Sequence, residues 1–261
     1  MLMNLSYRDM EDILMKELRL YHHPIAVTFL FTDAEVRKFA LFTPHHRPVK
    51  PLAYCQWEIA ARMQGKTVLG GKEDLDCSGA LVSFGWRDKN DANHAKTLAR
   101  NCADMEQVAF FMQAKPCMDA DSLKAVAVGP LGQAVVSPHV IHFYCDTMQA
   151  YHLSVDYMAA TNTPALRPIL TGSSAAWGGS VFSWQEKAFN LCPACSGNFN
   201  SGKMERGEIN VFIPAEQLPL LVERLLFRIR STGTSAITRP GEPFPGSDVC
   251  KNCPQIVFKR G

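Results

Sequence analysis

Two Cys-x-x-Cys pairs are the residues in this sequence whose type and spacing best suit a chemical role. The first pair is Cys192 and Cys195, within the stretch Leu-Cys-Pro-Ala-Cys-Ser-Gly-Asn, and the second is Cys250 and Cys253, near the end of the chain. Two intervening residues let the backbone turn, so that both sulfurs face one metal ion or one side of a cluster. The pairs therefore predict a centre with four thiolate ligands.

The separation of the two pairs leaves alternatives open. It is much longer than the about 15–20 residues that are usual in compact zinc ribbons. The four-thiolate arrangement competes with unmetallated thiols and with a redox pair. Thiol–disulfide exchange is disfavoured, because neither pair opens a helix behind a strand as a thioredoxin-like site would.

The other five of the nine cysteines fall into two groups. Cys77 lies on the small-residue turn Asp-Cys-Ser-Gly-Ala, where a thiolate would be accessible, and Cys55 could face it from the end of a helix. Cys102, Cys117 and Cys145 are interpreted as buried structural thiols, since free cysteine packs as a small hydrophobic residue. An odd count without a secretory signal argues against a disulfide framework.

The candidate site residues follow from these patterns. The predicted metal ligands are Cys55, Cys77, Cys192, Cys195, Cys250 and Cys253. The predicted cofactor-contacting residues, from the two Cys-Ser-Gly turns, are Gly79, Ser196 and Gly197. No catalytic residue is identified, because neither a Ser/His/Asp order nor a convergent pair of carboxylates stands out.

Composition narrows the class of protein. The chain has 261 residues, of which 47% are apolar and 20% are charged, as is typical of globular proteins. A net charge of +2 without a dense Lys/Arg run gives no reason to expect nucleic acid or an anionic membrane as a partner. No apolar run approaches the roughly 18 residues of a membrane helix, and no signal peptide is visible. These features predict a cytoplasmic protein.

Hydrophobic periodicity predicts an α+β fold, with mixed sheets and packed helices. Helices are expected over 6–20, 52–64, 92–113, 147–160 and up to about 230, and strands over 25–31, 126–128, 140–145 and 209–213. The apolar segment 81–86 is expected as a short strand or buried segment. The small-residue stretch 171–180 is predicted to be a loop against a bound group. Neither Gly-x-Gly-x-x-Gly nor a P-loop pattern occurs, so no nucleotide site is predicted.

The predicted domain organisation is one α+β domain over residues 1–238, followed by a cysteine-bearing C-terminal arm over 239–261. A helix followed by Cys-Ser-Gly occurs at 54–79 and again at 147–197. This repetition suggests two related halves of about 1–135 and 136–238. Such halves would place Cys77 and Cys195 on equivalent turns, close to each other.

Short stretches in a specific order carry a resemblance to a known family. They are Pro24–Leu30, Cys55–Gln56, Ala60–Arg62, Cys77–Ala80, Phe84–Gly85, Pro138–Ile141, Met148–Ala150, Cys195–Asn198 and Ile213–Pro214. Together they resemble domain-of-unknown-function family 169, which is widespread in anaerobic prokaryotes. The family has no settled activity, so the resemblance implies an architecture rather than a reaction.

The resemblance also implies which cysteines belong to the family pattern. Family members are expected to carry cysteines matching Cys55, Cys77 and Cys195. A further cysteine that many members have is replaced here by the stretch Ala176–Gly178. Cys192 and the terminal pair depart from the family pattern. Two ligand sets therefore stay open: Cys55, Cys77 and Cys195 with one more ligand, or the two Cys-x-x-Cys pairs.

The function hypothesis that follows is an iron–sulfur protein, with a 4Fe-4S cluster, that transfers electrons or supports reductive chemistry in anaerobic metabolism. If it is an enzyme, it is an oxidoreductase, and its partner would be a redox protein or a small molecule. The alternatives are a structural zinc protein and an accessory module that binds a haem-like or other small cofactor. Covalent haem is disfavoured, since no Cys-x-x-Cys-His is present. Homo-oligomerisation stays open.

Overall fold

A six-stranded sheet organises the residues that the computed structural model describes, which are 5–171 and 175–232. The strands are β1 (Ile25–Leu30), β2 (Val68–Gly70), β3 (Ala125–Pro130), β4 (Val140–Cys145), β5 (Asn190–Cys192) and β6 (Ile209–Pro214). Their order is β2-β3-β1-β4-β6-β5, and every neighbouring pair is antiparallel. The fold is α+β, as the sequence predicts, but the expected mixed sheets are a single antiparallel one in the described part of the chain.

Ten α-helices accompany the sheet within the described ranges. They are α1 (Tyr7–Glu17), α2 (Asp33–Phe42), α3 (Tyr54–Gln64), α4 (Ser78–Ser83), α5 (Ala92–Leu98), α6 (Met105–Gln113), α7 (Thr147–Thr161), α8 (Ala176–Glu186), α9 (Ser196–Asn200) and α10 (Leu218–Thr232). In the part of the chain that is described, no helix is both long enough and apolar enough to cross a membrane. The predicted C-terminal arm, with Cys250 and Cys253, lies outside the described residues.

Helices cover both faces of the sheet. Successive strand residues point to opposite sides, so Val27 and Phe29 of β1 join one core while Ala26 joins another. The first core is completed by α3, α4 and α8, and it contains Cys55. The second is completed by α1, α7 and α10. Because both faces are covered, β1 and β4 are buried along their whole length.

The strand pairing has an internal two-fold relationship. In the first half, β1 pairs with β3 and β3 pairs with β2; in the second half, β4 pairs with β6 and β6 pairs with β5. The starts of β1 and β4 pair with equivalent prolines, Ile25 with Pro130 and Val140 with Pro214. At the centre Ala26 faces Ile141, and the flanking pairs, which exchange under the same rotation, are Ile25 with His142 and Val27 with Val140. The two three-stranded units therefore repeat each other.

Helices α3 and α8 follow the same repeat. Each has 11 residues and ends at a residue in the left-handed conformation, Gly65 with φ of 65° or Lys187 with φ of 51°. That residue comes three positions before β2 or β5. The counterpart of α3 is thus α8, and not the helix starting at Thr147 that the sequence repetition suggests.

Three segments differ from the sequence-based expectation. The segment 81–86 contributes to α4 rather than to a strand, and residues 176–180 of the expected loop begin α8. The expected helix over 92–113 is two helices, because Asp104 accepts a hydrogen bond from the backbone of Gln107 and so starts α6 anew. The remainder of the expected loop includes 172–174, which are outside the described residues.

Candidate functional site

Three cysteines from distant parts of the chain meet on one face of the sheet. Cys55 is the second residue of α3, while Cys77 and Cys195 come immediately before α4 and α9. Cys55 is buried in the core that α3, α4 and α8 form, and half-buried Cys77 and Cys195 pack against that core. We call these three residues the thiol cluster. It combines three of the six predicted ligands.

Asn198 connects two members of the thiol cluster. Its Nδ2 donates to Cys55 Sγ at 3.5 Å, and its Oδ1 accepts from Cys195 Sγ at 3.7 Å. The same Nδ2 donates to the Tyr144 hydroxyl at 3.1 Å. Asn198 is fully buried in the first turn of α9, so its amide holds the two sulfurs in fixed positions.

The thiols of the cluster influence one another's ionisation. Burial raises the pKa of the Cys55 thiol well above its usual range, and the charges of Glu58, Cys195 and Cys77 raise it further. Burial also raises the pKa of Cys77; hydrogen bonding to the Ala80 backbone opposes this, and the charge of Cys195 adds to it. Both thiols are therefore neutral at pH 7 unless a cation binds to the sulfurs.

A buried lysine lies beside the cluster. Lys115 is only 3% exposed; its Nζ is hydrogen-bonded to His94 Nε2 and is 4.7 Å from the centre of the Trp177 ring. Burial lowers the pKa of Lys115 to about 8, while the neighbouring thiols of Cys117, Cys77 and Cys195 counteract this effect. A protonated Lys115 supplies positive charge where thiolates would form.

Gly79 brings the second layer of side chains close to Cys77. A Cβ on Gly79 would lie 2.5 Å from Trp177 Cζ2 and 3.0 Å from His94 Cε1, so only glycine fits here. Its counterpart Gly197 has more space, because a Cβ there would lie 3.6 Å from Cys195 Sγ. With exposed Ser196, the structure places all three predicted cofactor-contacting residues next to the thiol cluster.

Cys192 is near the cluster but points elsewhere. It is buried in β5, and its Sγ donates to the Ala175 carbonyl at 3.9 Å. Burial raises the pKa of its thiol to about 12, with a further contribution from Cys195. Its predicted partnership with Cys250 and Cys253 involves residues outside the described ranges.

The remaining cysteines lie away from the three sulfurs or outside the predicted ligand set. Cys145 is in the core on the opposite face of the sheet. Cys102 packs against the small core between α5 and α6. Cys117 lies near Lys115, and burial raises the pKa of its thiol. Within residues 5–171 and 175–232, no group of three or more His, Cys, Asp or Glu side chains is arranged to hold a single metal ion.

A buried polar network, not foreseen from the sequence, continues from the thiol cluster into the sheet. Tyr144 donates to Glu58 Oε2 at 2.6 Å, and Glu58 Oε1 is 2.8 Å from His142 Nδ1. His142 Nε2 is 2.9 Å from Asn210 Oδ1. Both side chains of the Glu58–His142 pair are completely buried. A carboxylate three residues after Cys55 and a histidine on a buried strand were the sequence signals for it.

Arg62 attaches the segment after α9 to this network. Its Nη2 donates to the carbonyls of Gly202 at 2.8 Å and Lys203 at 2.9 Å. Its guanidinium carbon is 4.2 Å from the centre of the Tyr144 ring. Arg62 is buried on α3, as is Cys55. The helix that carries one thiol therefore also anchors the segment that follows another.

The comparison with known families agrees with this arrangement. Residues 13–224, more than half of the chain, match the model of DUF169, domain-of-unknown-function family 169, described as an uncharacterised ArCR family. The chain belongs to this family. No curated protein and no solved structure matches the chain. Membership in family 169 therefore assigns no reaction, and the function must be argued from the site.

Proposed function

We propose that this member of family 169 is a cytoplasmic iron–sulfur protein in which Cys55, Cys77 and Cys195 bind a 4Fe-4S cluster. It would carry electrons or support reductive chemistry, as an oxidoreductase if it is an enzyme. The observation that carries the proposal is the meeting of three cysteines, from three separate segments, around the buried amide of Asn198.

The chemistry of the donors supports this proposal. Thiolates are the usual ligands of iron–sulfur clusters. The raised pKa values of Cys55 and Cys77 mean that both sulfurs are protonated in the protein alone. Binding to iron would release these protons, because a coordinating thiol is deprotonated by the metal. Metal binding and ionisation of the buried thiols would then be one coupled event.

The surroundings of the sulfurs also suit an anionic cluster. Lys115 provides a buried positive charge close to Cys77 and Cys195. Asn198 provides an N–H group directed at Cys55 Sγ. Hydrogen bonds to the sulfurs and nearby charges are the main means by which a protein adjusts the potential of a cluster. Both kinds of group are present.

Anaerobic purification of the full chain tests the proposal. The expected product is brown, contains iron and acid-labile sulfide, and loses most of both when Cys55, Cys77 or Cys195 is replaced by serine. Cys145→Ser is the matched control, because Cys145 is buried on the other face of the sheet, and it should keep its iron. A colourless protein with stoichiometric zinc, or one that binds only a haem-like cofactor, would contradict the proposal.

The same measurements separate the two ligand sets. If the Cys-x-x-Cys pairs hold the metal, Cys192→Ser and the double variant Cys250→Ser/Cys253→Ser will lose it, and the double variant will expose the C-terminal arm to proteolysis. Cys55→Ser and Cys77→Ser would then keep the metal. Our proposal expects the reverse result for both groups of variants.

A further inference from the structure

Trp177 stands where the two-fold relationship of the halves calls for a fourth cluster ligand. Cys55 is the second residue of α3, and Trp177 is the second residue of the equivalent helix α8. Cys77 and Cys195 likewise precede equivalent short helices, each beginning with Ser-Gly. Three of the four related positions thus carry a thiol, and the fourth carries an indole.

Two buried donors gather at this fourth position. Lys115 lies against the Trp177 ring, and the His94 ring meets the same indole edge-on at 6.3 Å between ring centres. A lysine ammonium can only donate hydrogen bonds, so His94 Nε2 accepts from Lys115 and the ring proton of a neutral His94 is on Nδ1. That Nδ1 is buried, in a residue 1% exposed, and has no hydrogen-bond partner in the described part of the chain.

An unpartnered buried donor is costly unless a ligand accepts its proton. Both groups that face Trp177 are donors, and one of them is a cation, so the complementary ligand is an anion. His94 Cε1, the atom bonded to this Nδ1, lies close to Gly79, two residues after Cys77. Half-buried Cys77 leaves this side of the site open toward the surface.

We propose that a small anion, a carboxylate or oxyanion, binds beside Trp177 to His94 Nδ1 and Lys115, at the corner of the cluster that lacks a protein thiolate. The inference rests on the cluster of the proposed function. A metal site with all positions filled by protein is structural, whereas one with an open position can bind substrate. The replacement of a cysteine by Trp177 would make this protein a substrate-binding member of its family rather than a pure electron carrier.

The first experiment tests the open corner. In the full-length protein with a 4Fe-4S cluster, mild oxidation by ferricyanide should remove one iron and produce the electron paramagnetic resonance signal of a 3Fe-4S cluster. Trp177→Cys should suppress this conversion, because it supplies the missing thiolate. The wild-type result alone is decisive, so the test does not depend on whether Trp177→Cys folds.

The second experiment tests the anion, with formate as the probe. Formate should shift the resonance spectrum of the reduced cluster, with chloride as the ionic-strength control. Lys115→Met and His94→Gln should each weaken formate binding by about tenfold or more, since a hydrogen bond to a charged group contributes on that order. Lys89→Met is the matched control, because Lys89 is exposed and donates to the Gln113 carbonyl.

The outcomes distinguish this inference from the proposed function. A protein without iron and sulfide contradicts the proposed function itself. A protein with a cluster that resists loss of iron, and becomes sensitive only in Cys192→Ser or in the Cys250→Ser/Cys253→Ser variant, has a fourth thiolate, which overturns the open corner alone. Formate binding that is unchanged in both Lys115→Met and His94→Gln overturns the anion site.

Discussion

Asn198 donates a hydrogen bond of 3.5 Å to the sulfur of Cys55, a residue 143 positions earlier in the chain. The contact joins the two halves of the molecule at the thiol cluster. Its amide oxygen meanwhile accepts from Cys195 Sγ. A single buried side chain thus fixes sulfurs that come from different halves.

We therefore expect Asn198→Ala to lower the reduction potential of the bound cluster. A hydrogen bond to a ligand sulfur stabilises the more negative, reduced state, so its loss favours the oxidised state. Potentiometric titration followed by resonance spectroscopy measures the change. Asn200→Ala, an exposed position on the same short helix, should leave the potential unchanged. Equal potentials in Asn198→Ala and the wild type would contradict the role of this hydrogen bond.

The Glu58–His142 pair gives a prediction about stability. Both side chains are completely buried and 2.8 Å apart, so removing one charge leaves the other without a partner. Glu58→Gln should reduce the free energy of unfolding by about 3–5 kcal/mol. Denaturant unfolding measures this loss.

The matched control for that prediction is the exposed ion pair between Lys187 and Glu216, at 3.7 Å. Glu216→Gln should change the free energy of unfolding by less than about 1 kcal/mol. If both variants have the same small effect, the buried pair is not ionic in the folded protein.

Much of the framework could be predicted from the sequence because local signals determine it. Ser6 and Asp9 form the expected capping box of α1, with reciprocal hydrogen bonds. The apolar runs at Ile25 and Val140 are the strands that their composition indicates. Cysteine type and spacing selected the three members of the thiol cluster without any knowledge of the sheet.

Other elements depend on tertiary contacts that a single sequence does not display. The short apolar run of α4 fits a strand or a buried helix equally well. Gly178 and Gly179 disfavour a helix by propensity, yet α8 forms because Gly179 lets it approach Phe212 on β6. Lys115, His94 and Asn198 reach the cluster only through the fold, so no spacing rule could associate them with it.

Acid should destabilise the protein through His94. Burial and the nearby Lys115 lower the pKa of His94 from 6.5 to about 4. A depressed histidine pKa stabilises the fold above the unfolded value, and the contribution is lost as the pH falls from about 6.5 toward 4. The full loss corresponds to roughly 3 kcal/mol, at about 1.4 kcal/mol for each pH unit.

The measurement is the free energy of unfolding at pH 7 and at pH 5, for the wild type and for His94→Gln. The wild type should lose more stability than the variant over this interval. Burial also lowers the pKa of His139 and His152, so the difference between the two proteins, and not the wild-type slope, isolates His94. Identical slopes would mean that His94 is free to protonate in the folded state.

The two Ser-Gly turns offer a paired test of packing at the site. Gly79→Ala should reduce the free energy of unfolding by about 1–3 kcal/mol, because the new methyl group would displace Trp177 or His94. Gly197→Ala, at the equivalent position, should change it by less than about 1 kcal/mol, since it introduces only an ordinary contact with Cys195. Denaturant unfolding gives both values, and tryptophan fluorescence reports the displacement. Equal effects at the two glycines would mean that Trp177 does not pack against the Cys77 turn, and the fourth corner of the cluster site would then have to be placed elsewhere.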